Sequence, residues 1–284
     1  RDYPEMTRSV ILDAPAMPEI RTTEASNFQL SLNRLVEECA AAPICSDLYP
    51  DLETKFYTAV DNLNMDPAAV DIQFEGSTET VFVSGDRFVL GLQNAFNSNS
   101  LLPLIPIAID NVAAGDLAIV QAVAPDLLTA FESISWGHFA SVDCAENNPF
   151  WSEAQRMQSN ANVNPLISAA LDPVSHGVDV GQCEFWDVQE RPSIAGEAVL
   201  SDIPALILHG DYDVAIPLSY SEKAAENLSN SQLVVFPGFG HVVLGQDFNV
   251  DGTSCGQRIL AQFLDDPMAT VDTSCLAEFP PLYE

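Results

Sequence analysis

The chain has 284 residues, 41 acidic against 10 basic side chains, a formal charge of −31, 47% hydrophobic residues and six cysteines. That length suits one large domain or two small ones, with enough apolar content for a sizeable core. The charge argues against nucleic acid, because little is present to neutralise phosphates, and against adhesion to anionic membrane surfaces.

The first apolar stretch, residues 7–13, has the β-branched pair Val10-Ile11 between Pro4 and Pro15 and predicts a short buried strand. Residues 27–39 place Phe28, Leu30, Leu32, Leu35 and Val36 at the spacing of an amphipathic helix. A second helix is expected over residues 52–63, a strand over 78–83, and helices over 87–96 and 106–124, the last interrupted by Gly115. From 85 to 195 no strong strand signal occurs, which suggests a mostly helical insertion. The most apolar run, residues 101–109, contains Pro103 and Pro106 and stops at Asp110, short of the roughly 20 residues a membrane span needs. The start shows no secretory pattern of charge followed by an apolar run. It opens Arg1-Asp2-Tyr3-Pro4 without a methionine, as expected of a trimmed chain or a piece of a longer product.

After Pro192 the grammar changes. Residues 203–210 form a continuous apolar run ending in Gly210, residues 219–228 read as a helix opened by Pro217, and residues 233–236 form a second buried run before Pro237-Gly238. Residues 256–265 then read as a helix with Ile259, Leu260, Phe263 and Leu264 on one face. Strand, helix, strand, helix is the order of a parallel sheet covered on both sides, so the chain is expected to be α/β.

The cysteines fall as Cys39 with Cys45, Cys144 with Cys183, and Cys255 with Cys275, without a C-x-x-C pair or zinc-like histidine spacing. Local pairing is the simplest connectivity; six reduced thiols of a cytosolic protein are the alternative. Disulfides in an oxidising compartment fit the even count better. No ligand cluster supports a metal, and nothing calls for a cofactor.

Parallel sheets present functional groups at the carboxyl ends of their strands. Two such loops stand out: Gly210-Asp211-Tyr212-Asp213 and Gly238-Phe239-Gly240-His241. An Asp and a His on neighbouring loops can meet, the carboxylate fixing the imidazole tautomer during acyl transfer. The glycines are expected to let the backbone turn sharply enough to aim both side chains. Asp213 is the expected acid, since Asp211 lies directly in the turn, where Asx bonds to the backbone are the ordinary use. His241 is the expected base. Gly252-Thr253-Ser254-Cys255-Gly256 fits G-x-S-x-G as text, but a polar segment precedes it where an elbow needs a buried strand. Ser84-Gly85 lacks that context too. Glu146, beside Cys144, is a candidate partner for a substrate's free amino group, against the plainer reading of a solvated turn residue. Trp136, Phe139, Phe150, Trp151 and Trp186 are candidates to line a pocket, though aromatics at that density are usually core. His209 reads as a packed histidine, and His138 and His176 carry no signal.

Residues 203–217 (I-P-A-L-I-L-H-G-D-Y-D-V-A-I-P) and 234–244 (V-V-F-P-G-F-G-H-V-V-L) resemble the C-terminal part of an α/β-hydrolase. More narrowly they are similar to the tripeptidyl and prolyl aminopeptidase-like serine hydrolases, the TAP-like proteins. The likeness extends to residues 3–13, 141–147, 263–267 and Cys275. It implies a C-terminal part of a doubly wound, mostly parallel sheet with a helical lid insertion. Residues 1–26 would be a core strand, 27–195 the lid, and 196–284 the core carrying the acid and histidine loops. It implies Asp213 and His241 as triad acid and base, a secreted or periplasmic setting, and supports three local disulfides. In that family the nucleophile elbow precedes the strand found here at residues 10–12. The nucleophile serine is therefore expected on a second chain or fragment carrying the N-terminal half. The substrate expected is a small peptide or ester. The alternatives are a non-catalytic binding or assembly subunit, and a self-contained esterase using a serine such as Ser254.

Overall fold

The computed structural model describes residues 1–74, 76–132, 135–175, 180–247 and 252–283; His176 lies outside them. Among the described residues five strands occur in chain order: β1 (Val10–Asp13), β2 (Ala68–Phe74), β3 (Ser77–Val83), β4 (Ala205–Gly210) and β5 (Ser231–Phe236). The chain divides into two compact units. One comprises Arg1–Arg21, Phe96–Leu102 and Gly196–Leu282, and the other the remaining described residues.

The first unit is built on a parallel sheet in the order β1-β4-β5. β4 is buried along its whole length, and its alternating side chains serve two cores. Leu206 and Leu208 pack with Phe236, Val243, Ile259 and Phe263 on one face. Ala205 and Ile207 pack with Met17, Tyr220, Ala224 and Leu228 on the other. The helix Leu218–Asn227 supplies Tyr220 and Ala224, and the helix Cys255–Asp265 supplies Ile259 and Phe263, one turn apart. Leu264 lies off that stripe and is exposed, so the expected apolar face is narrower than its sequence suggested.

β1 departs from the expected buried strand. Ile11 is exposed and its neighbours are only half-buried, because β1 has β4 on one side and no strand on the other among the described residues.

The second unit is mostly helical. The helix Glu24–Ala41 is capped by Thr23, whose hydroxyl accepts from Ser26 N–H at 3.1 Å, and buries Phe28, Leu32, Leu35 and Cys39. The helix Leu52–Met65 buries Phe56, Val60 and Leu63. The expected break near Gly115 is present: one helix spans Ile105–Ala113, the next Ala118–Glu132, and Gly115 takes φ +85°. β2 has no counterpart in the sequence reading; it pairs antiparallel with β3 and buries Val70 and Ile72. Val70, Ile72 and Phe74 alternate with Asp71 and Gln73, so a period-two signal was present in the residues themselves.

The disulfides are Cys39–Cys45, Cys144–Cys183 and Cys255–Cys275, and no described cysteine is free. Such bonds belong to an oxidising environment. No helix among the described residues is long and apolar enough to cross a membrane.

Candidate active site

Each strand of the parallel sheet ends in a residue that converges on one place. β1 ends in Asp13, β4 leads into Asp213, and β5 leads into His241. The turn after β4 is stitched to the loop after β5 by backbone bonds, Tyr212 N–H to the Phe239 carbonyl at 2.9 Å and Asp211 N–H to the Phe236 carbonyl at 3.2 Å. Asp211 accepts from Gly238 N–H at 2.8 Å, so its carboxylate ties one loop to the other.

Asp213 is directed away from solvent, with a side chain 0% exposed. One oxygen accepts from the backbone N–H groups of Ala215 and Ile216 at 2.9 and 2.8 Å. The other lies 2.8 Å from Nδ1 of His241. Those bonds hold the carboxylate and leave one oxygen for the imidazole. With Nδ1 donating to Asp213, Nε2 is the basic nitrogen. The His241 side chain is 34% exposed, and Nε2 has no hydrogen-bond partner among the described residues.

Burial works to lower the His241 pKa, but the hydrogen bond that the ring donates to Asp213, the charge of that carboxylate and that of Asp13 outweigh it, and the net shift is upward. Asp13 was not singled out in the sequence. Its two oxygens accept from Val243 N–H and Leu244 N–H, each at 2.9 Å, just beyond His241. Burial pushes its carboxyl pKa up against the pull of those N–H groups. Between His241 and Val243, Val242 sits at φ +63°, a left-handed conformation unfavourable to a β-branched residue, and the Asp13 clamp holds that turn. An acid closing the run V-I-L-D at a strand end was the available signal.

One of the glycines acts as expected and two do not. Gly238 makes a turn at φ +73°. Gly210 and Gly240 are required by close approach instead. A Cβ on Gly210 would lie 2.1 Å from the Gly240 carbonyl oxygen, and one on Gly240 would lie 2.2 Å from that of Phe96.

Ser254 is buried and caps the helix Cys255–Asp265. Its hydroxyl donates to the Asp247 carbonyl and lies 3.3 Å from Gln257 N–H, so the text match to G-x-S-x-G has a structural use. His209 is fully buried, with Nδ1 2.8 Å from the Ser221 hydroxyl, and burial pushes its pKa down.

Glu146 belongs to the second unit. It sits on a π-helical turn, Asp143–Asn147, anchored by Cys144–Cys183, and pairs with Arg191 at 3.0 Å. Both line a cleft of about 420 Å³ with His138, Ser141 and Glu190. None of the five aromatics singled out in the sequence is in its wall. Trp136 and Phe139 pack edge to face nearby in sequence, Trp186 donates to the Ser141 hydroxyl at 2.9 Å, and Trp151 stacks beneath Arg156. Among the described residues no three His, Cys, Asp or Glu side chains gather as a metal site.

A comparison with curated proteins gives no match. A family model described as TAP-like protein matches residues 168–275, a span holding β4, β5, Asp213 and His241. This part of the chain is therefore similar to the C-terminal region of the TAP-like α/β-hydrolases, which points to hydrolase function.

Proposed function

We propose that this chain contributes the acid and the base of a Ser-His-Asp hydrolase, secreted or periplasmic, that releases short peptides or amino acids from the amino ends of peptide substrates. The observation that carries the proposal is the 2.8 Å contact between a solvent-excluded Asp213 and a half-buried His241 on neighbouring strand ends. Asp213 orients the ring and stabilises it when charged. His241 Nε2 takes the proton of a serine hydroxyl as that oxygen bonds to the substrate carbonyl. It then passes the proton to the departing amine, leaving an acyl-enzyme. Water repeats the exchange and frees the acid.

The nucleophile is assigned to a segment outside this sequence. Two observations support that: Nε2 has no hydroxyl partner among the described residues, and the apolar edge of β1 is unpaired among them. A strand bearing the elbow, laid beside β1, would pair that edge and complete more of a doubly wound sheet. The lid belongs to the same proposal. So does the role of Glu146 as a partner for a substrate ammonium, which requires it to exchange Arg191 for that group.

A fluorophosphonate probe applied to the intact protein with everything that co-purifies tests it. Label on a partner chain or fragment, lost on His241→Ala, is expected. Label on Ser254 would mean a self-contained esterase, and no label on any chain a non-catalytic scaffold. Peptides with free and acetylated amino ends distinguish an aminopeptidase from an esterase of wider taste; only the free ends should be processed.

A further inference from the structure

His241 is one-third exposed, so packing alone does not decide where its ring points. Its backbone, by contrast, is gripped on both sides, by Asn99 from far away in the chain and by Gln246 from five residues on. The Asn99 side-chain oxygen accepts from Gly240 N–H at 3.0 Å, across 141 residues. Asn99's own N–H donates to the Gln246 side-chain oxygen at 2.6 Å, and the Gln246 amide nitrogen donates to the His241 carbonyl. The chain of bonds thus runs from Gly240 through Asn99 and Gln246 back to His241. Phe96, in the same segment as Asn99, lies with its carbonyl so close to Gly240 that no side chain fits there, and its ring stacks on Tyr212 of the acid loop at 6.3 Å.

We propose that Asn99 and Gln246 are positioning residues, a latch that fixes the His241 backbone and thereby the direction in which Nε2 is offered to the nucleophile. The inference rests on the Asp-His assignment above and adds two residues to it. At Gln246 the chemistry selects an amide. Gln246 must accept from an N–H with one atom and donate to a carbonyl with the other, which a carboxylate cannot do. A neutral amide also leaves the charge balance at His241 to Asp213 and Asp13. Aim matters because reacting groups misplaced by about 1 Å lose about a hundredfold in rate.

The test uses the intact protein with its co-purifying partners and the variants Asn99→Ala, Asn99→Asp, Gln246→Ala, Gln246→Glu and Asn99→Ala/Gln246→Ala. Two readouts are taken: the rate of fluorophosphonate labelling, and NMR of the His241 Nδ1–H signal together with the ring's titration. The alanine variants should label at least about tenfold more slowly, with the Nδ1–H signal broadened and the titration moved down toward the ordinary imidazole value. The double variant should be no worse than the poorer single one, since both break the same chain of bonds. Asn99→Asp keeps the acceptor for Gly240 and should recover most of the rate, whereas Gln246→Glu keeps one bond and should not. A lowered melting temperature with unchanged labelling and titration in the alanine variants would overturn the latch. If the parent protein does not label at all, the hydrolase assignment fails, and the NMR arm still decides: a signal lost in the alanine variants supports the latch, and one that persists unchanged refutes it.

Discussion

At the scale of single residues, the Asp213–His241 contact sets how activity should follow pH. A base must be neutral to take a proton, and His241 titrates above the ordinary imidazole value once burial is outweighed by Asp213 and Asp13. The acid limb of kcat/KM should therefore lie above that value and move down in Asp213→Asn, with a smaller movement in Asp13→Asn. Asp213→Asn should also lower kcat by about 10⁴-fold, because the ring then loses the partner that selects its tautomer. The same shift has a stability counterpart. It contributes fully below the unfolded imidazole pKa and is lost as pH rises through the folded one. NMR titration of the ring in parent and variants checks both.

At the scale of elements, the turns after β4 and β5 work because two backbones touch. Gly210→Ala and Gly240→Ala each drive a methyl onto a carbonyl oxygen, at 2.1 and 2.2 Å. Each should cost about 1–3 kcal/mol or more, read in chemical unfolding as a lower midpoint at unchanged slope. Ser254 provides the contrast. As a helix cap, Ser254→Ala should cost about 1 kcal/mol while leaving fluorophosphonate labelling at the parent rate. A loss of label instead would restore Ser254 as the nucleophile.

At the scale of the whole molecule, each unit carries its own cross-links. Cys144–Cys183 joins residues 39 apart in the helical unit, and Cys255–Cys275 joins residues 20 apart in the sheet unit. Replacing either pair by serine should cost about 2–5 kcal/mol, and reductant should lower the parent's melting temperature but not further lower that of a chain with all six replaced. The edge of β1, unpaired among the described residues, bears on the proposed second chain. Native mass spectrometry of the protein as purified should find a second chain or fragment carrying a serine that labels, and removing it should bring aggregation through the exposed strand.

Local order and repeated patterns were legible in the sequence. The strand-helix-strand-helix order after Pro192 announced the parallel sheet, and the glycine-flanked loops pointed to Asp213 and His241, because strand ends in such sheets lie side by side whatever the intervening chain. The helix break at Gly115 was equally local. β2 was legible as well, in the alternation of Val70, Ile72 and Phe74 with Asp71 and Gln73, although no strand is predicted there. Asn99 and Gln246 were not, because a hydrogen bond closing over 141 or 147 residues leaves no periodicity to read. Asp13 lay between the two cases: its place at a strand end was visible, but only folding set it against Val243 and Leu244. The sequence by itself determined that the chain after Pro192 alternates strand and helix, where those two strands would end and which ionisable groups stood there. Tertiary structure alone decided how those groups are held, since a side chain's aim depends on neighbours that the chain brings together only when it folds.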